Sequence, residues 1–72
     1  MNNTILYKGY EGSVEYAEQD CVYYGRVLGI RSLISYEGTM AAELVEDFHR
    51  AVDDYLSMCQ IEGKAPEIAS KG

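Results

Sequence analysis

The sequence predicts an α+β domain in which a three-stranded antiparallel meander is covered on one face by a single long helix, in the order β-β-β-α. Two observations carry this reading. Over residues 39–62, TMAAELVEDFHRAVDDYLSMCQIE, apolar residues recur three and four apart at Ala41, Leu44, Val45, Phe48, Ala51, Val52, Tyr55, Leu56 and Cys59. That spacing draws one apolar stripe down a helix, the pattern of a helix packed against a flat partner. Upstream, apolar and polar residues alternate with period two, the pattern of half-buried strands. No second long helical pattern precedes the stripe, so strands must cover it.

Residues 1–4 read as a short polar start. In LYKGYEGSVEYA, Tyr10, Gly12, Val14 and Tyr16 fall on one side of a strand, and Glu11, Ser13 and Glu15 on the other. Gly9 and Gly12 weaken the start of this strand, and one of them is a candidate bulge. Glu18, Gln19 and Asp20 suit a tight turn. CVYYGRVLG is the second strand, paired with the first as a hairpin. Its two sets are Val22, Tyr24, Arg26, Leu28 and Cys21, Tyr23, Gly25, Val27. Neither is cleanly polar, which predicts a central strand covered on both faces. Gly25 is placed to let a backbone or ring approach closely. Residues 33–36 are the third strand, and Glu37-Gly38 ends it. Thr39 is the expected N-cap, although Ala42 stands where a capping box would have Glu or Gln. Gly63 is the natural helix stop, with Pro66 after it. The tail from Ala65 onward has room for a short fourth strand.

The chain of 72 residues is one domain, with a core that leaves little stability margin. Its net charge of −6 makes nucleic acid a poor direct ligand, since affinity for phosphates rests on cations. An acidic surface suits a basic protein partner, or serves solubility alone. Cys21 and Cys59 form no CxxC pair and read as free thiols in a reducing compartment, each a small core filler. No apolar run is long enough for a membrane span, and the N-terminus lacks the apolar core of a signal peptide, so a cytoplasmic protein is expected.

Catalytic signals are weak. His49 is the only histidine, and no Ser or Cys can be assigned to it as a partner. It reads as a rim residue. Glu46-Asp47 and Asp53-Asp54 are adjacent on a helix, so their side chains point about 100° apart and do not converge on one metal ion. A solvated acidic face is the better account. The glycines make no phosphate loop. No cofactor is expected. The seven tyrosines divide between core and interface, because tyrosine pairs a large apolar body with a polar tip.

The blocks YKGYEGSVEYAEQD, YYGRVLGIRSLISYEG and AVDDYL, at their spacing here, resemble the N-terminal domain of the HicB-like antitoxin family. The resemblance runs from about Tyr7 to Gly72, and EGKAPEIASKG looks like the family's segment after the helix. It implies a partial ribonuclease-H-like fold without nuclease activity. It also implies a partner: a small basic HicA-type toxin, an mRNA interferase whose active site is masked by binding. Family members often carry a further domain that binds operator DNA and assembles dimers or higher oligomers. This sequence stops where that domain would begin, so operator binding is not expected of it. It also has Cys21 where many relatives have Gly after the acidic turn residue.

The reading is therefore a non-enzymatic domain that neutralises a basic toxin and forms homo-oligomers. The residues expected to meet the partner are Glu11, Glu15, Asp20, Tyr23, Arg26 and Tyr36 on the sheet side, and Glu46, Asp47, Asp53 and Asp54 on the helix. Three alternatives stand beside it. One is a homo-oligomeric scaffold without a toxin. Another is a hydrolase built on Glu11, Glu15 and Asp47, which would need those carboxylates to converge on metal. The third is a regulatory domain sensing a ligand at its tyrosine-rich face.

Overall fold

The computed structural model describes residues 3–67. Its elements are β1 (Thr4–Tyr7), β2 (Tyr10–Ser13), β3 (Glu15–Ala17), β4 (Val22–Arg26), β5 (Ser35–Gly38) and α1 (Ala41–Glu62). The class is α+β, with a three-stranded antiparallel sheet β3-β4-β5, a two-stranded sheet β1-β2 and one long helix.

The two sheets are nearly one. Gly12 opposes Val27 in the same register that sets Glu15 opposite Tyr24, so β2 and β3 are halves of a single extended run. The break falls at Val14, just past Ser13, the residue that faces Arg26. There the Arg26 amide donates to the Ser13 hydroxyl rather than to a backbone carbonyl. The freed Ser13 carbonyl accepts from the Tyr36 hydroxyl at 2.9 Å, and the Arg26 carbonyl lies 3.2 Å from the same hydroxyl. Tyr36 thus reaches from β5 into the split between two strands. Two glycines give it room: a Cβ on Gly12 would sit 2.1 Å from the Tyr36 oxygen, and one on Gly25 would sit 1.9 Å from the Ser13 carbonyl oxygen. The expected close approach at Gly25 is therefore present, to backbone and ring together.

The face toward the helix carries the core. Tyr10, Val27, Tyr36, Leu44, Phe48 and Val52 are buried in one cluster, with Phe48 fully enclosed and its ring 4.9 Å from that of Tyr36. Leu44, Phe48, Val52 and Cys59 are the buried helix positions, as the stripe requires. The helix stops where expected. Gly63 has φ 70°, its amide donates to the Gln60 carbonyl, and the Lys64 amide donates to the Cys59 carbonyl. This pair of bonds is a Schellman closure, which needs a left-handed residue that glycine adopts without Cβ strain.

Several expectations need correction. The polar start ends sooner than expected: Thr4 already pairs with Ser13, and a two-residue turn at Lys8-Gly9, both with positive φ, makes an extra hairpin. Such a turn twists with its strands. The third strand is displaced to Ser35–Gly38, where it pairs with Tyr23 to Arg26 of β4, and Gly38 backs directly onto the start of the helix. Met40, not Thr39, holds the N-cap position and gives no side-chain bond. Glu43 is consequently the third helical residue, and its carboxylate accepts from the Thr39 amide and hydroxyl. β4 is central but covered on one face only: Gly25 and Val27 are buried while Tyr24 and Arg26 are exposed. Residues 64–67 form no strand, and the remainder of the tail lies outside the described residues.

Candidate functional site

The sheet face turned away from the helix follows from strand parity. Gly25 and Val27 point inward, so Val22, Tyr24 and Arg26 point outward. Across the strands, Glu15, Tyr24 and Glu37 stand in one row, all exposed. Next to this row lies an open cleft of about 660 Å³, whose lining includes Ala17, Asp20, Val22, Tyr24, Glu37 and Asp47. It is an aromatic ring flanked by carboxylates, with an apolar strip at Ala17 and Val22. The lining contains no Lys or Arg. Such a surface can accept a cationic side chain, with its stem on the ring and its head on the acids.

Asp47 also has a structural task. Its carboxylate accepts the Glu37 amide at 3.0 Å, which caps an outward N–H of the edge strand β5. An edge N–H occupied in this way is closed to pairing with another strand.

The expected partner-binding residues are dispersed. Asp20 and Asp47 line the cleft, and Glu15 adjoins it across β4. Glu11 and Arg26 are exposed on the same sheet face but outside the cleft lining. Tyr23 lies on the inward-pointing side of β4, half-buried, its ring 4.8 Å from that of Tyr16. Tyr36 belongs to the core cluster, 3% exposed, and also contributes to the cleft lining; burial raises its phenol from 10.0 to about 12. Glu46 and Asp54 are exposed on the helix.

Asp53, by contrast, is tied down. Its carboxylate accepts from Lys8 Nζ at 2.8 Å and from the Tyr7 hydroxyl at 3.1 Å. The Lys8 bond, seconded by Tyr7, holds this carboxyl below its usual range. His49 completes the cluster by stacking on Tyr7 with centroids 4.0 Å apart. These four side chains clamp the first hairpin to the helix. Cys59 is buried as expected, but Cys21 is exposed and holds φ 52°, the conformation a glycine would favour.

The residues missed from sequence are Tyr24 and Glu37. Parity carried the signal for Tyr24. Gly25 marks the face of β4 that something approaches closely, which leaves Tyr24 on the open face. Among the described residues, no group of three His, Cys, Asp or Glu side chains could hold a metal ion, so Glu11, Glu15 and Asp47 form no such cluster. Among the same residues, no helix is long and apolar enough to cross a membrane.

Compared with protein-family models, with curated proteins and with solved structures, the chain matches none.

Proposed function

We propose that this is a HicB-like antitoxin domain that binds and neutralises a small basic HicA-type mRNA interferase, without catalytic activity of its own. The observation that supports it most is the Glu15–Tyr24–Glu37 row beside a cleft that adds Asp20 and Asp47 and no Lys or Arg. A toxin that cleaves RNA must present cations to phosphates, and carboxylates can compete for those same cations. The resemblance of the sequence blocks to that family supplies the identity of the partner. In this reading the fold is a partial ribonuclease-H-like one, the protein is cytoplasmic and homo-oligomeric, and operator DNA is reached only through a further domain.

The test is co-expression of the chain with its neighbouring gene, a pull-down, and an RNA-cleavage assay on the captured partner. A stoichiometric complex with a small basic protein, and cleavage suppressed by it, is the expected result. Reversing Glu15 and Glu37 to Lys should weaken the complex roughly tenfold or more at low salt, the scale of close interfacial charge pairs. Reversing Asp54 should do little. A chain that captures no partner but forms a discrete particle by light scattering would replace this reading with an orphan oligomeric scaffold.

A further inference from the structure

At the other end of the helix from Asp47, residue Glu67 carries a dense set of hydrogen bonds. Its carboxylate accepts from the backbone amides of Arg31, at 2.7 Å, and Ser32, at 3.1 Å, and from the Ser32 hydroxyl at 2.8 Å. Its own amide donates to the Tyr55 hydroxyl at 2.8 Å, and its carbonyl accepts from the Tyr10 hydroxyl. These contacts come from three places: the loop after β4, the helix and strand β2. A surface glutamate gains such a set only when its backbone is brought to a built seat. Two consecutive amides and a hydroxyl aimed at one carboxylate are such a seat.

The segment that delivers Glu67 is short. Gly63 reverses the chain at the helix end, and residues 64–67 then cross back toward the loop. Between them and the body of the domain lies a groove of about 370 Å³, walled by Arg31, Ser32, Tyr55 and Cys59 on one side and by Lys64, Ala65 and Glu67 on the other. Cys59 is 6% exposed and Tyr10, another 6%, packs its ring against Tyr55 at 6.1 Å. The strap therefore seals an edge of the core that the helix and sheet leave open.

We propose that residues 64–67 are a releasable strap, with Gly63 as its hinge and Glu67 as its latch, which forms the outer wall of this groove over Cys59 and can open while the rest of the domain stays folded. Among the described residues, apart from the Lys64 amide at the helix end, the bonds that hold the segment converge on Glu67, three on its carboxylate and two on its backbone. Loss of the three carboxylate bonds can thus loosen the strap without touching the Tyr36, Phe48 and Leu44 centre of the core. Local openings of this kind draw on elements with few buried contacts. The inference does not depend on the identity of any partner.

Cys59 is the reporter. In the full chain carrying Cys21→Ser, it is the only thiol, and its reaction with an aromatic disulfide reagent reads exposure of the groove. Glu67→Ala should accelerate that reaction roughly tenfold or more, since bonds to a charged acceptor are lost. The rate should be nearly independent of low urea, because a local opening exposes little surface. Glu67→Gln, which keeps an acceptor oxygen, should fall between, and Ser32→Ala should give a smaller rise of the same kind. Asp53→Asn, which loosens the other clamp on the same helix, should change the rate only as far as it changes global stability. An unchanged rate in Glu67→Ala would overturn the proposal. So would rates that in every variant simply track the free energy of global unfolding.

Discussion

Replacing Tyr36 by Phe keeps the buried ring and deletes the hydroxyl that reaches from β5 into the split between β2–β3 and β4. At neutral pH the variant leaves the Ser13 and Arg26 carbonyls without this donor. Losing a buried hydrogen bond with its acceptors left in place costs about 1–3 kcal/mol. For a domain of this size that is on the order of 10 °C in thermal midpoint. The alkaline limb gives a second, independent number. The phenol is raised from 10.0 to about 12 by burial, with the bond to Ser13 acting in the opposite direction. A raised folded-state value means that the unfolded chain loses its proton first. Stability from this group is complete below pH 10 and declines as pH rises toward 12, by about 2–3 kcal/mol for a two-unit difference. Tyr10 is also raised by burial and adds to the same limb, so the informative quantity is the difference between wild type and variant. Urea unfolding of both proteins at intervals from pH 7 to 12 measures it. The gap should start at about 1–3 kcal/mol and shrink above pH 10, because only the wild type has this proton to lose. Curves that coincide at pH 7, or that stay parallel to pH 12, would refute the argument that the hydroxyl is buried and bonded as described.

Gly25→Ala should destabilise by about 3 kcal/mol or more, since its Cβ would fall 1.9 Å from a backbone oxygen that cannot rotate away; urea unfolding checks it, and an effect under about 1 kcal/mol would mean that β2–β3 and β4 are free to separate there. Cys21→Gly should stabilise by about 0.5–1 kcal/mol by relieving a left-handed backbone at an exposed turn, visible as a higher thermal midpoint. On the acid side, Glu43, Asp53 and Glu67 are all held below their usual values, by bonds from Thr39, Lys8 and the Arg31 amide respectively. Their contribution is present above the ordinary carboxylate range near pH 4 and is lost as pH falls through the lowered values, so acid unfolding of Asp53→Asn should show a shallower pH dependence than wild type.

How much of this was legible depended on the range of the interaction. The helix stripe, its stop at Gly63 and the alternation of β2 are local patterns, and each is present as read, whereas β4, expected to be covered on both faces, is covered on one. Gly25 was legible as a close approach because a glycine inside a strand weakens it, and a neighbour packed where a side chain would stand makes up for that loss. The extra hairpin was hidden because Lys8 is an unusual residue at positive φ and β1 is only four residues long. The burial of Tyr36 was hidden for a different reason. A tyrosine near the end of a short strand looks the same in sequence whether its hydroxyl meets water or two carbonyls. The decision lay with Ser13, Gly12 and Gly25, which lie far from it in the chain. The Glu67 seat was beyond reach on the same grounds, since the residues that make it lie 36 and 35 positions upstream.

The acidic residues of this chain divide by what they already hold. Asp53 is bonded to Lys8 and Tyr7, Glu43 to Thr39, and Glu67 to the loop, so each serves the fold first. A partner competing for any of these would have to break an internal bond before making a new one. Glu15, Asp20 and Glu37 are exposed, and no hydrogen bond ties their side chains among the described residues. They flank Tyr24, whose ring is already open to solvent. Asp47 stands between the two groups, capping an edge amide while lining the cleft. Its replacement by Asn would keep an acceptor for the Glu37 amide while removing the charge. A cationic partner should feel that change, and the stability of the domain should not. The pair Asp53 and Asp54, adjacent in sequence, separates in the same way: Asp53→Asn should register in unfolding, whereas Asp54→Asn should be silent there. Charge counted along the helix treats these neighbours as one surface, and the hydrogen bonds show that they are not.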